Sequence, residues 1–275
     1  MRHAILRVAL TTALVILFSV SAGTARADDD TAWKATHDTD PHLPLTQEQL
    51  EMTAAKRAAE AQSDVETTAA MSPPSSTCGS SCGGGGGYPS SASLIANQTP
   101  QATSYYCGPA AVHEALGALG VSLSQSAAAA ALHTTSSGTA WSGGGTSPSG
   151  YPVPDVMNRY QSRNYYAPQP VSSATTSAIN TYENDLEADI SGVRAPLIGD
   201  AWETTTGYHL TGHPRDHTIF HWFEIRGYYG SGGTTLYEDS VHGASSIGWS
   251  GGVPAYSNLP SSQIVSIIGG RGYVW

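Results

Sequence analysis

An α+β fold is predicted by the order of the elements and by where they sit. Helix-forming segments fill the stretch from about residue 109 to 190, and strand-forming runs dominate from residue 195 onward. Both lie in one continuous region, from about Ser91 to the end, large enough to hold a core of its own. No internal repeat divides it.

Pro109 to Leu119 places Val112, Ala115, Leu116 and Leu119 at helical spacing, and Gly120 stops it. Ser124 to Leu132 reads as an Ala-rich second helix, Val153 to Arg163 as a third, and Ser177 to Ile190 as a fourth, ended by Gly192. Strand-like runs follow at Ala195 to Ile198, Thr218 to Tyr228 and Thr234 to Val241. A short helix near Ser261 to Ile268 precedes a last strand, Gly272 to Trp275.

The region before Ser91 differs in composition. Arg2 and Arg7 precede an apolar run from Val8 to Val20, and Ala25-Arg26-Ala27 is a small-x-small cleavage pattern. Residues 1–27 therefore read as a secretory signal peptide, and the product is expected outside the cell, with wall association open. Residues 28–87 read as a low-complexity leader and linker. Thr46-Gln-Glu-Gln49 has the spacing of a capping box, and helix-favouring sequence runs on to about Gln62. Leu50 and Met52 are the only large apolar residues of that helix, too few for a docking stripe. An undocked stalk is the expectation, with a pro-segment over an active site as the alternative. Pro73-Pro74, Cys78-Gly-Ser-Ser-Cys82 and a run of glycines then form a flexible joint. Residues 88–275 form the remaining domain.

Charge removes several classes of function. The 275-residue chain has 12 Lys+Arg against 22 Asp+Glu, a net charge of −10. Nucleic acid and anionic membranes both need a basic surface. Gly143-Gly-Gly145 follows no strand and precedes no Lys-Ser/Thr, so it is no phosphate loop. Three cysteines are too few for a disulfide scaffold. Cys78 and Cys82 suit a small disulfide loop in an exported chain, which leaves Cys107 alone.

Cys107 begins Cys107-Gly-Pro109-Ala, where Pro109 suits a first helical turn. At a helix N-terminus the partial positive charge favours thiolate over thiol, and thiolate is the attacking form. Gln101, in the loop upstream, carries an NH2 group that can join the Cys107 N–H as an oxyanion hole. The competing reading is a buried structural cysteine. His221, near the start of the Thr218–Tyr228 strand, is a candidate base, and Asp239 on the next strand can orient it through Nδ1–H. His217 is a rival base, and Asp200 and Asp216 are rival acids. His209, His213, His217 and His221 recur at intervals of four, but Gly212 and Pro214 break any helix that would line them up for metal. They read as loop and cleft histidines. Glu224 and Arg226 read as a solvated or cross-strand pair, and His113 as packed or exposed. Tyr105, Tyr106, Trp141 and Trp222 are candidates for the core or for a cleft wall.

The stretch Gln101 to Ala111, with His221-Trp-Phe-Glu-Ile-Arg-Gly-Tyr228 and Glu238-Asp239-Ser240, resembles the bacteriocin-processing (double-glycine leader) peptidases of the papain superfamily. More closely it resembles their secreted, stand-alone peptidase C39-like members, over about residues 93–275. The resemblance implies a papain-like fold, with a helical part carrying the Cys packed on an antiparallel sheet carrying His and Asp. It implies Cys107 as nucleophile, His221 as base, Asp239 as orienter and Gln101 in the oxyanion hole, with no cofactor or metal. The expected partner of the monomer is a peptide or protein substrate, with no nucleic acid and no membrane after signal cleavage. Unlike transporter-linked members, the sequence shows no membrane segments and no nucleotide-binding domain, so the resemblance does not by itself imply cleavage of double-glycine leader peptides. A cell-wall peptide amidase or endopeptidase would use the same residues. A non-catalytic wall-associated protein of the same fold is the remaining alternative.

Overall fold

The computed structural model describes residues 30–38, 43–70, 87–143 and 147–275. The expected signal peptide, the Cys78–Cys82 loop and most of the linker lie outside the described residues. Among the described residues no helix is long and apolar enough to cross a membrane.

The chain is α+β, as its element order predicts. Two helices come first, α1 (residues 30–37) and α2 (Gln47–Ala70), then strand β1 (Ser91–Ser93). Helices α3 (Cys107–Ala118), α4 (Gln125–Ala131) and α5 (Pro152–Tyr160) follow. After β2 (Pro168–Val171), helix α6 (Thr176–Glu187) passes into a π-helical turn, Ala188–Val193. The last part is β3 (Leu197–Glu203), β4 (Ile219–Tyr229), β5 (Thr234–Glu238), β6 (Tyr256–Pro260), α7 (Ser261–Ile267) and β7 (Arg271–Val274).

The strands form one antiparallel sheet in the order β2-β7-β3-β4-β5-β6, and β1 pairs with the far end of β4. Side-chain alternation gives the central strands two buried faces. Trp222 and Ile198 join Val112, Leu116, Val156 and Met157 on the α3–α5 side. Phe223, Ile225, Leu197 and Ala201 join Leu186, Ile190, Ile264 and Ile268 on the α6–α7 side. The sheet is thus the middle layer of three. Strands β1, β2 and β6 are absent from the sequence prediction. β1 has three residues, β2 holds Pro168 and Pro170, and β6 alternates polar residues on an outer strand. Proline is tolerated in β2 because that strand is at the edge and need not donate outward.

The N-terminal segment departs from its expectation, because it docks. The capping box forms in full: Gln49 N donates to Thr46 Oγ1 (3.1 Å) and Thr46 N donates to Gln49 Oε1 (2.9 Å). Leu50 and Met52 stay exposed, as a weak apolar face requires. What holds the segment is charge. The sequence has only two lysines, Lys34 and Lys56, and both are anchors. Lys34 Nζ is 3.1 Å from Asp30 and donates to the Ser266 and Ile267 carbonyls at the C-terminus of α7. Lys56 Nζ lies 2.7 Å from Asp189 in the π-helical turn, and Arg57 pairs with Asp185 at 2.9 Å. Both cations also sit over the ring of Trp275, at 4.1 and 4.9 Å from its centre. Leu43 and Leu45 pack on the α3–α5 core. An apolar-stripe criterion cannot register ion pairs to residues more than a hundred positions away.

Candidate active site

Cys107 is the first residue of α3, and Tyr106 before it has left helical geometry. Its N–H therefore has no acceptor within the helix. Gly108 is required by packing: a Cβ there would collide with the hydroxyl of Thr139, in the loop that walls the site. Burial opposes ionisation of the Cys107 thiol. The neighbouring imidazole of His221, with the N–H groups of Trp222 and Gly108, outweighs it and holds the thiol below its usual pKa. The balance for His221 is the mirror image. Burial pushes its pKa down, but the nearby Asp239 carboxylate, with Cys107, raises it well above the usual range. The two opposed shifts each favour the charged form, thiolate at Cys107 and imidazolium at His221.

Asp239 directly follows β5, whose pairing with β4 sets Glu224 opposite Glu238. Its Oδ1 lies 3.1 Å from His221 Nε2 and accepts the Val241 N–H at 2.9 Å. The sequence expectation was contact through Nδ1. The ring is turned the other way, with Nε2 toward the acid, which leaves Nδ1 for the thiol. The Nε2–Oδ1 contact is close but not aligned as a hydrogen bond, so its strength is mainly that of charge. Burial favours the neutral acid, yet His221 and His213 hold the Asp239 carboxyl well below the usual range.

The sequence does not signal what lies behind Asp239. His213 Nε2 is 3.0 Å from Asp239 Oδ2, and His213 Nδ1 is 3.0 Å from Glu203 Oε2. Glu203 Oε2 also lies 3.0 Å from His209 Nδ1, and His209 Nε2 donates to the Thr204 carbonyl at 2.8 Å. All these side chains are buried. Burial lowers the His213 pKa, but its two carboxylates raise it on balance. The row from Glu203 to Cys107 thus alternates in sign. Gly212, at φ +85 with the Gly252 carbonyl against it, delivers the loop to this place. His213 is one of the four recurring histidines, but loop geometry rather than periodicity brings it to Asp239.

Gln101 is buried and tied to the acid's neighbour: its N–H donates to the Ser240 carbonyl (2.8 Å) and its Oε1 accepts from Ser240 Oγ (3.3 Å). Its Nε2 donates to the Thr103 carbonyl at 2.7 Å, which uses one of its two hydrogens. A cleft of about 660 Å³ opens at Cys107. Trp141, Trp222, Tyr105 and Phe220 wall it, with Asp200 and Arg271, and α1 adds His37. Trp141 and Trp222 do both things the sequence left open, because they stack in the core at 5.8 Å and face the cleft.

The rival residues are elsewhere. His217 and Asp216 pair with each other at 2.6 Å on the surface, 62% and 81% exposed. His113 is fixed to the Leu123 carbonyl. Asp200 lines the cleft wall. Glu224 and Arg226 are not a pair: a bulge between Ile225 and Gly227 separates them, Glu224 is fully buried, and Arg226 turns to Glu238 and Tyr256.

No curated protein matches this chain. Among solved structures it is similar to a protein from Bacillus anthracis described as a C39-like peptidase, at 12% identity and a TM-score of 0.40, covering 66% of this chain and 96% of that one. The model of the Peptidase_C39 like family matches residues 94–250, a span that includes Gln101, Cys107, His221 and Asp239. That match takes in more than half of the sequence, and the chain belongs to the Peptidase_C39 like family.

Proposed function

We propose that the protein is an exported cysteine peptidase that cleaves peptide bonds through a thioester on Cys107. The observation that carries this reading is buried Cys107 at the start of α3, its thiol pKa lowered by His221, with His221 Nε2 3.1 Å from Asp239. The Cys107 thiolate attacks the substrate carbonyl carbon. The negative charge that develops on oxygen is met by the Cys107 N–H and the remaining hydrogen of Gln101 Nε2. Imidazolium His221 gives its proton to the leaving amine, the C–N bond breaks, and a thioester remains. Neutral His221 then takes a proton from water, and the resulting hydroxide attacks the thioester. Its collapse releases the carboxylic acid and regenerates the thiolate–imidazolium pair. The aromatic walls of the cleft suit apolar side chains beside the cleaved bond.

The test is a screen of mixed peptides by mass spectrometry, with the unaltered chain and with Cys107→Ala. Cleavage by the former and none by the latter supports the reading. A folded chain that cleaves no peptide, or a Cys107→Ala chain that still cleaves, contradicts it.

A further inference from the structure

Three glutamates meet in the core between α3 and the sheet. Glu114, Glu224 and Glu238 are all fully buried, and one carboxylate oxygen from each lies within 4.8 Å of the others. That is the span one calcium ion bridges, with oxygens at about 2.3–2.6 Å. Acidic side chains gathered in one place do not make a site. Here a second observation points to a ligand: neither carboxylate oxygen of Glu224 has a hydrogen-bond partner, although the residue has no exposed surface. Glu114 Oε2 also lacks one. Asn97 lies against the cluster, its N–H donating to Glu238 and its Nδ2 to the Glu114 carbonyl, and its Oδ1 is buried and unpartnered. The guanidinium of Arg226 lies at the edge of the cluster, with Nε 3.8 Å from Glu238 Oε1. Three carboxylates against one guanidinium leave two negative charges.

We propose that Glu114, Glu224 and Glu238, with the side-chain oxygen of Asn97, form a structural calcium site. A divalent cation matches the residual charge and fills the open valences of Glu224. All the donors are oxygen, which disfavours zinc and copper. Magnesium keeps bound water and a strict octahedron, and this enclosed cluster suits neither, whereas calcium accepts several carboxylates in an irregular shell. Without the ion, burial pushes Glu238 up to about 7 and Glu224 and Glu114 well above the carboxylate range, so protons are the competing occupants.

The position gives the site a purpose. Glu114 lies two turns beyond Cys107 on α3, Glu224 three residues beyond His221 on β4, and Glu238 directly before Asp239. Thr99 N donates to Glu114 Oε1 at 2.7 Å, which fixes the segment leading to Gln101. One ion would hold together every segment that carries the candidate catalytic residues. The proposal does not depend on peptidase activity.

The test uses the full chain, stripped with EDTA and dialysed. Calorimetric titration with CaCl2 should show one calcium per chain, and hydrogen exchange should slow in residues 97–99, 111–118, 222–226 and 236–239. Glu224→Gln should weaken binding at least tenfold; should that variant not fold, Glu114→Gln serves, and the exchange pattern of the unaltered chain decides without either. Absence of calcium binding at millimolar CaCl2 overturns the proposal. So does protection confined to other segments, or undiminished binding by a folded Glu224→Gln chain.

Discussion

His213 Nε2 lies 3.0 Å from Asp239 Oδ2, so the acid behind the candidate base is itself held from behind by a second imidazole. The His213 and His221 rings are 5.3 Å apart across that carboxylate. His213→Gln keeps a donor to Asp239 and removes the positive charge. Loss of one charge-assisted hydrogen bond, worth roughly 1.5–3 kcal/mol, corresponds to a fall in kcat of about 10–100-fold. KM should stay unchanged. One positive charge leaves the neighbourhood of His221, so His221 should hold its proton longer and the alkaline limb of the kcat profile should move to higher pH. An unmoved limb would reduce His213 to a packing role.

His221→Ala should lower turnover by at least roughly 100–10,000-fold, the usual range for a positioned acid–base group. His217→Ala should leave both turnover and melting temperature where they were, because His217 is 62% exposed and pairs with Asp216 on the surface. Steady-state rates of the two variants on any cleaved peptide decide the assignment. The reverse pattern would mean that β4 presents a different histidine to Cys107.

Gln101→Ala should cost about 100–1,000-fold in kcat, the scale for one oxyanion donor. Gln101→Glu should cost at least as much, since a carboxylate faces the developing negative charge. If both variants changed KM alone, Gln101 would be holding the Ser240 loop rather than the oxyanion.

Residues 30–59 should contribute measurably to stability, through a group whose sign can be stated. Burial raises the Asp189 pKa from 3.8 to about 6, and Lys56 limits that rise. A carboxyl raised on folding adds stability that is complete below its unfolded pKa and lost as pH climbs through the folded one. Lys56→Met should raise the folded value further. Its urea midpoint should therefore lie close to that of the unaltered chain at pH 4 and clearly below it at pH 7. An equal deficit at both pH values would show that packing on Trp275, not charge, is what Lys56 supplies.

The sequence reveals most where local rules act alone. The α3 boundary is marked by Pro109 and Gly120, the α2 cap by Thr46 and Gln49, and β4 by its run of β-branched and aromatic residues. The candidate site residues stand in short motifs, Cys107-Gly-Pro and His221-Trp-Phe, whose residue types suggest their chemistry. Contacts set by the tertiary fold were not. Glu224 looks like a solvent-facing strand residue until α3 is seen to cover it. His213 looks like a loop histidine until Gly212 turns it toward Asp239. Lys34 and Lys56 look like the solvated charges of a stalk, and their partners are remote in sequence.

The pH dependence of Cys107 alkylation tests the central claim most directly. Brief iodoacetamide treatment of the folded chain, followed by peptide mass mapping, gives the rate at that residue alone. His221 holds the thiol pKa down, so labelling should persist well below the pH near 8.5 at which an ordinary cysteine ionises. Substituting His221→Ala should restore an ordinary profile. A Cys107 that labels only above pH 8 in the unaltered chain, or whose profile ignores His221→Ala, would contradict the thiolate–imidazolium pair and the peptidase reading built on it.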